Sequence, residues 1–503
     1  MDICLRTRVP SYWILPIALA VLALLVASPV PAFAQGPSGS VTSSPDISRA
    51  NSDCLAKATN SAEAAKLFEE GLQLRYDFHT EQALDKFRQA ASKDPKFARA
   101  WAYVVLLGSD PVEAKRAGDK ARVASKNASA GDKLLVKWVT STEDGHFLEA
   151  IRAMNDLMAN CPRDAQLNYE AGLWVRSQGD GAGAIRLTRR ALEIKPDFAG
   201  ALNTLAYQLA TMNKYDEALS YLKRYIELEP KDPNPYDSMA EILQGAGRLE
   251  ESLAEYRQAL NVDPTFYTSQ KGLGDDYALL GDEERARQEY VKALAMVTLP
   301  QERLDIEIQT AITYAREGNR RQARLEFAPV LVEASKFQLR DYESQIHQNL
   351  ALLAETPEAA LKQLYAADLA LQQPGHVSGA KRTRMLSRSL ELRAQLAAAS
   401  GKPATARYAV ARLGKMVETN HTNAVERAYH GANGALMAAQ NKTQSAIEEL
   451  EQDPENAVSM AKLAELQAAS GNAAEAGETR ALLKANYSTT LQDWQVAQRF
   501  RPQ

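Results

Sequence analysis

Between residues 131 and 300 the apolar positions recur at helical spacing. Leu202, Leu205, Ala206 and Leu209 stand at i, i+3, i+4 and i+7, and Tyr236, Met239, Ala240 and Leu243 repeat the set. That spacing puts one buried stripe on a helix. A second stripe follows each first one: Leu222 with Tyr225, Tyr256 with Ala259, and Tyr290 with Ala293. Prolines punctuate the pattern at one constant interval, at Pro162, Pro196, Pro230 and Pro264. Proline lacks the donor that a helix interior needs, so each marks the end of a helix. In "PKDPNPYDSMAEIL" Pro235 then opens the next helix, where a missing N–H leaves nothing unpaired.

The pattern predicts helix pairs starting at Ala64, Gly131, Ala165, Ala199, Pro233 and Tyr267. Gly145, Gly179, Asn213, Gly247 and Gly281 fall where the first helix of a pair must end, and glycine or asparagine accepts the left-handed geometry of such an end. Five positions later stand Ala150, Ala184, Ala218, Ser252 and Ala286, small enough for the second helix to approach closely. One pair cannot bury its apolar face alone. Neighbouring pairs must stack, and equal offsets make a superhelix in which each pair touches only its neighbours.

These small pairs (Ala171 and Gly172, Leu205 and Ala206, Met239 and Ala240, Leu273 and Gly274), the alanines and the terminal prolines resemble the tetratricopeptide repeat family over Gly131 to Pro300. The stretch from Ala64 to Phe97 matches too, through Gly71, Ala83, Phe87, Ala90 and Pro95. The wording around Pro196 and Pro230 is also similar to repeat arrays attached to bacterial regulatory kinases and cyclases. The resemblance implies an all-α fold, an α-solenoid of stacked antiparallel helix pairs in a right-handed superhelix. It also implies that the first helices line the concave groove. Residues 98–130 depart from the pattern, with Gly108 and Pro111 in the expected first helix, and Trp138 stands where the family has a small residue. After Pro300 the strict period fades, but the turn and small residues return at Gly318 and Ala323, Gly401 and Ala406, Asn441 and Ala446, and Gly471 and Ala476. Residues 61–300 are therefore expected to form the array, with one degenerate unit at 98–130. Residues 301–487 follow as irregular helix pairs, with Gln372 to Gly379 a longer connection, and 488–503 as a C-terminal cap or tail bearing Trp494 and Phe500.

Composition adds a compartment. Residues 1–34 hold Arg6 and Arg8, the apolar run "ILPIALAVLALLV" and small residues at Ala32 and Ala34, the layout of a secretory signal. The run is short for a membrane span, so cleavage after Ala34 is expected, and membrane attachment only if the segment is kept. Residues 35–60 are small and polar, a flexible tether. Removing Asp2, Arg6 and Arg8 with the signal takes the 59 basic and 63 acidic residues to 57 and 62. A near balance without a basic patch argues against nucleic acid. Cys54 and Cys161 would remain, one before the first repeat and one closing the third, and are expected to be unpaired.

Candidate chemistry is sparse. The six histidines are scattered, and the chain has neither HExxH nor a CxxC pair, so no metal or cofactor is expected. "GDGAGA" from Gly179 lacks the Gly-Lys-Ser/Thr of a phosphate loop, and its glycines fall on the repeat's turn. There is no GxSxG elbow. Repeat units occupy nearly all of the chain after residue 60, so an enzyme is not expected. The groove positions implied by the resemblance are Tyr169, Leu173 and Arg176, then Asn203 and Tyr207, then Asp237 and Glu241, then Lys271 and Asp275. Lys271 is followed by Asp275 where the family's carboxylate clamp needs asparagine, so that mode of peptide capture is not supported. The expected function is a non-enzymatic interaction scaffold of the bacterial cell envelope that binds a protein or peptide. A glycan or small-ligand binding protein using the groove's aromatics, and an enzyme with a site after residue 300, are the alternatives.

Overall fold

In a computed structural model the described residues are 59–501, apart from 77–79, 109, 179, 376, 378 and 421, together with Leu55. The expected signal segment, most of the tether and the expected joint at Gly179 lie outside them.

Among the described residues every regular element is a helix. The pairs are α1 (Ala62–Tyr76) with α2 (Thr80–Lys93), α3 (Ala98–Leu107) with α4 (Pro111–Ser125), α5 (Ala130–Glu143) with α6 (Phe147–Asn160), and α7 (Ala165–Ser177) with α8 (Gly181–Ile194). There follow α9 (Ala199–Ala210) with α10 (Tyr215–Leu228), α11 (Asn234–Gly245) with α12 (Leu249–Val262), and α13 (Tyr267–Leu280) with α14 (Glu283–Leu294). The last are α15 (Pro300–Arg316) with α16 (Arg320–Lys336), α17 (Arg340–Leu352) with α18 (Pro357–Gln372), α19 (Gly379–Ala399) with α20 (Pro403–Asn420), α21 (Asn423–Ala439) with α22 (Thr443–Leu450), and α23 (Ala457–Ala469) with α24 (Ala473–Lys484), then a single short α25 (Leu491–Ala497). The architecture is an α-solenoid.

Local chemistry explains the joints. Backbone φ is positive at Gly145, Asn213, Gly247, Gly281, Gly318, Gly401, Asn441 and Gly471, the turn residues that the sequence marks. The small residues at the matching positions of the second helices, Ala150, Ala184, Ala218, Ser252, Ala286, Ala323, Ala406, Ala446 and Ala476, are all fully buried. Gln338 between α16 and α17 also has φ of 54°, although glutamine carries no turn signal. Asp164 caps α7 by accepting from the Leu167 N–H at 2.9 Å, and Asp282 caps α14 through Arg285 at 3.1 Å. Close approach is tight in α13. A Cβ at Gly272 would lie 2.3 Å from the Tyr256 ring, and one at Gly274 2.4 Å from the Tyr290 ring.

Several contacts depart from neighbour-only stacking. α1 packs against α9: the Tyr76 and Phe198 rings meet edge-on at 4.9 Å, and a Cβ at Gly200 would lie 2.8 Å from the Tyr76 carbonyl oxygen. A buried bidentate ion pair joins Arg75 to Glu170 of α7. The first helices therefore curl until the coil touches itself, so their side is the concave one, and stability there is not a sum over adjacent pairs. Similarly α25 packs on α23 and α24 and reaches back to α15 and α17.

The cysteine expectation needs correction. Cys161, the C-cap of α6 and 1% exposed, is in a disulfide. It lies in the same apolar cluster that Leu55 packs against, a proximity that separation along the chain conceals. Cys4 and Cys54 lie outside the described residues.

Candidate concave-face site

The floor of the concave side is polar where α9, α11, α13 and α15 follow one another. The Tyr207 hydroxyl of α9 donates to the Glu241 carboxylate of α11. One turn earlier on α11, Asp237 accepts from the Ser269 hydroxyl of α13 at 2.5 Å. On α13, Lys271 Nζ lies 2.9 Å from Asp275 Oδ2 and 3.4 Å from Asp305 Oδ2 of α15. The Tyr290 hydroxyl, from α14, reaches in to donate to Asp275 Oδ1 at 2.6 Å. Each side chain is placed by the repeat: residues one period apart, Tyr207 and Glu241 or Lys271 and Asp305, stand at equivalent sites on successive first helices.

Burial shapes the electrostatics. Asp237 is 7% exposed, and burial together with the neighbouring Glu241 carboxylate raises its pKa to about 7. Glu241 is reached by solvent but surrounded by protein, and its pKa is raised by that desolvation against the opposing Tyr207 hydrogen bond and the charge of Lys271. For Lys271 burial works against the charge, but the Asp275 and Asp305 carboxylates prevail and hold the ammonium charged above its usual range. Asp276, fully buried beside the strip, is raised to about 7 by burial, with Gln244 Nε2 donating to it at 2.9 Å. The strip thus offers acceptors and protonatable carboxyls around one neutralised lysine.

The groove positions read from the sequence divide in two. Tyr207, Asp237, Glu241, Lys271 and Asp275 come together in this strip. Tyr169 is 2% exposed: its ring packs with Tyr76 and Phe198, and its hydroxyl pairs with Thr204 Oγ1 at 3.0 Å. Asn203 is buried, with no partner for Oδ1 among the described residues, Leu173 is half-buried, and Arg176 is exposed at the end of α7. Sequence reasoning missed Ser269, Tyr290 and Asp305. Tyr290 reads as a packing residue of a second helix, and only its hydroxyl betrays the other role. Asp305 lies where the period fades, but one full period beyond Lys271 it was within reach of the same register. Among the described residues no group of three or more His, Cys, Asp or Glu could hold a metal ion, and no helix is long and apolar enough to cross a membrane.

The class defined by this fold is a solenoid of helix pairs with a polar concave face. Family models described as Tetratricopeptide repeat match residues 175–242 and 234–266, so the chain carries tetratricopeptide (TPR) repeats there. A TPR repeat-containing protein of Pseudomonas aeruginosa is 30% identical over 188 residues, which cover 37% of this chain and 32% of that protein. A TPR repeat-containing thioredoxin of Arabidopsis thaliana is 36% identical over 121 residues, 24% of this chain and 17% of its own length. The chain thus spans about a third or less of the length of the curated relatives it matches. A thermophilic TPR protein of Thermus thermophilus has a solved structure that aligns over 37% of this chain and 98% of its own, at 25% identity and a TM-score of 0.32.

Proposed function

We propose that this chain is a non-enzymatic protein interaction scaffold of the bacterial cell envelope that holds a protein or peptide segment along its concave face. The observation that carries the reading is the strip from Tyr207 to Asp305, where carboxylates and tyrosine hydroxyls line the inner side of successive repeats. A segment with basic or mixed charge suits it, since acidic acceptors steer such a partner and align it. Tyr207 supplies contact area with few rotatable bonds. The buried state of Tyr169 removes one of the aromatics a glycan site would use, which favours the peptide reading. Export is supported by the signal-like residues 1–34 and by the disulfide at Cys161, because such bonds persist in oxidising compartments.

The test compares the wild-type chain with Tyr207→Ala combined with Glu241→Lys, each immobilised and exposed to envelope extract at low and high salt. Loss of a specific salt-sensitive polypeptide, with helicity and melting unchanged, supports the reading. Undiminished capture by the folded double variant moves the binding face elsewhere.

A further inference from the structure

Further along the concave face the chain carries its own occupant. After α24 the backbone leaves helix at Asn486, crosses Tyr487 to Thr490 as an irregular stretch, and forms α25 with Thr490 Oγ1 accepting from the Asp493 N–H at 3.2 Å. Leu491 and Trp494, three apart, share one face of this helix. Leu491 is fully buried in the cluster of Leu304, Ile308, Ile346 and Leu353, and Trp494 packs against the same cluster. Arg316 reads the segment in two ways: Nη2 donates to the Thr489 carbonyl at 3.1 Å, and the guanidinium lies 5.8 Å from the Trp494 ring centre. Arg316 is 8% exposed, and its Nε and Nη1 have no partner among the described residues. At the entrance, the Tyr487 ring lies so close to Gly247 that a Cβ there would sit 2.3 Å away. At the exit, Arg499 Nη2 meets Glu465 of α23 at 2.8 Å.

These contacts differ in kind from the rest of the stack. α25 is seven residues long, too short to hold helix by itself, and has no second helix to pair with. It is anchored by Leu491 and Trp494 on one side and by Val496, with Phe500, against Ala457, Ala461 and Leu483 on the other, and is bound at a backbone carbonyl, the way a groove takes a helical peptide. We propose that the concave side of α15, α17 and α23 is a receptor for a short helix of pattern Thr-Leu-x-x-Trp-x-Val, and that residues 487–501 are a resident ligand in cis, displaced by a partner helix of that chemistry. The site lies beyond the Tyr207 strip and shares with the preceding reading only the use of the concave face. Its test uses a synthetic probe, so either reading can fail without the other.

The probe is a fluorescein-labelled peptide of residues 487–503, titrated by anisotropy. Three chains are compared: wild type, Leu491→Glu combined with Trp494→Ala, which frees the segment, and the freed chain carrying Arg316→Ala as well. A tethered segment acts at roughly millimolar effective concentration. The freed chain should therefore bind the probe about 100-fold more tightly than wild type, and Arg316→Ala should lose most of that gain. A second peptide, keeping only Thr490, Leu491, Trp494 and Val496 and altered elsewhere, should compete with the probe, and its Trp494→Ala version should not. Should the freed chain misfold, a protease site inserted after Asn486 and cut after folding leaves the groove residues intact, and the probe should then exchange into the cut chain. Equal affinity for freed and wild-type chains, no binding to the freed or cut chain, or failure of the pattern peptide to compete would each overturn the proposal.

Discussion

The regular pairs α5 to α14 and the later pairs α15 to α24 use one joint and two kinds of interior. In the first region every helix is short, from 12 residues in α9 to 14 residues in α13. Their contacts are set largely by glycine, alanine and tyrosine, and several ionisable groups gather on the concave strip. In the second, several helices lengthen, to 17 residues in α15, α16 and α21, 18 residues in α20 and 21 residues in α19, and charge enters the stack itself. Arg393 is fully buried, with Nη1 2.9 Å from Asp368 Oδ2 and its guanidinium 4.5 Å from the Tyr365 ring centre. Glu391 and Asp453, on α19 and just after α22, are 4% and 3% exposed, and burial raises both carboxyls. Gly431 makes room for them, since a Cβ there would lie 2.3 Å from Asp453 Oδ2 and 2.5 Å from Glu391 Oε1. A strict period lets small residues alone fix the spacing. Where the period relaxes, longer helices bring polar positions inside, and each must find a partner.

Breaking the second kind of interior should have the largest effect. Asp368→Leu leaves Arg393 buried without its carboxylate, and removing one partner of a buried pair costs about 3–5 kcal/mol. Hydrogen exchange in α18 and α19 under mild urea should show the loss. Adding Arg393→Met should restore most of it, whereas a pair that is solvated in practice would give little loss at the first step.

The concave strip of the regular region predicts a pH dependence instead. Asp237 binds its proton more tightly folded, at a pKa of about 7, than in the unfolded chain. Its protonated form therefore favours the fold at low pH, and this contribution is lost as pH rises from about 4 to about 7. The ceiling for a shift of that size is about 4 kcal/mol, shared with Glu241. Asp237→Asn should flatten the melting profile of α11 to α13 across that window, and an unchanged slope would assign the dependence to other groups.

A smaller effect sharpens the role of close approach. Gly274→Ala forces a methyl against the Tyr290 ring and should cost about 1–3 kcal/mol by thermal melting, with the Tyr290 hydroxyl pulled from Asp275. By contrast Gly477 has open space around its Cβ position, and Gly477→Ala in the interior of α24 should stabilise by up to about 1 kcal/mol. The smallest change concerns Gln338, a joint residue with positive φ that is neither glycine nor asparagine. Gln338→Gly relieves a left-handed backbone and should gain up to about 1 kcal/mol, whereas the same joint residue changed from glycine, as in Gly281→Ala, should lose a similar amount.

The helix pairs were legible because their signals are local. A proline ends a helix wherever it stands, a glycine or asparagine accepts positive φ at Gly145, Asn213 or Asn441 without regard to distant chain, and a constant period repeats the offset. Within the candidate site the same register brought Tyr207, Asp237, Glu241, Lys271 and Asp275 onto one face. It could not tell that Tyr169, at a like position, would be covered, because what covers it is Tyr76, at the end of the first helix of the array.

Sequence alone therefore determined the class of fold, most of the places where helices stop and many of the residues on the inner face, since all of these depend on neighbours within one or two turns or one repeat. Tertiary structure alone decided how far the coil closes. The Tyr76 contact with Phe198, the Arg75 pair with Glu170 and the seating of Trp494 beside Arg316 arise from small rotations accumulated over many pairs. No single repeat encodes that sum, because the rotation at each interface is set by side-chain packing and only the total brings distant residues within reach.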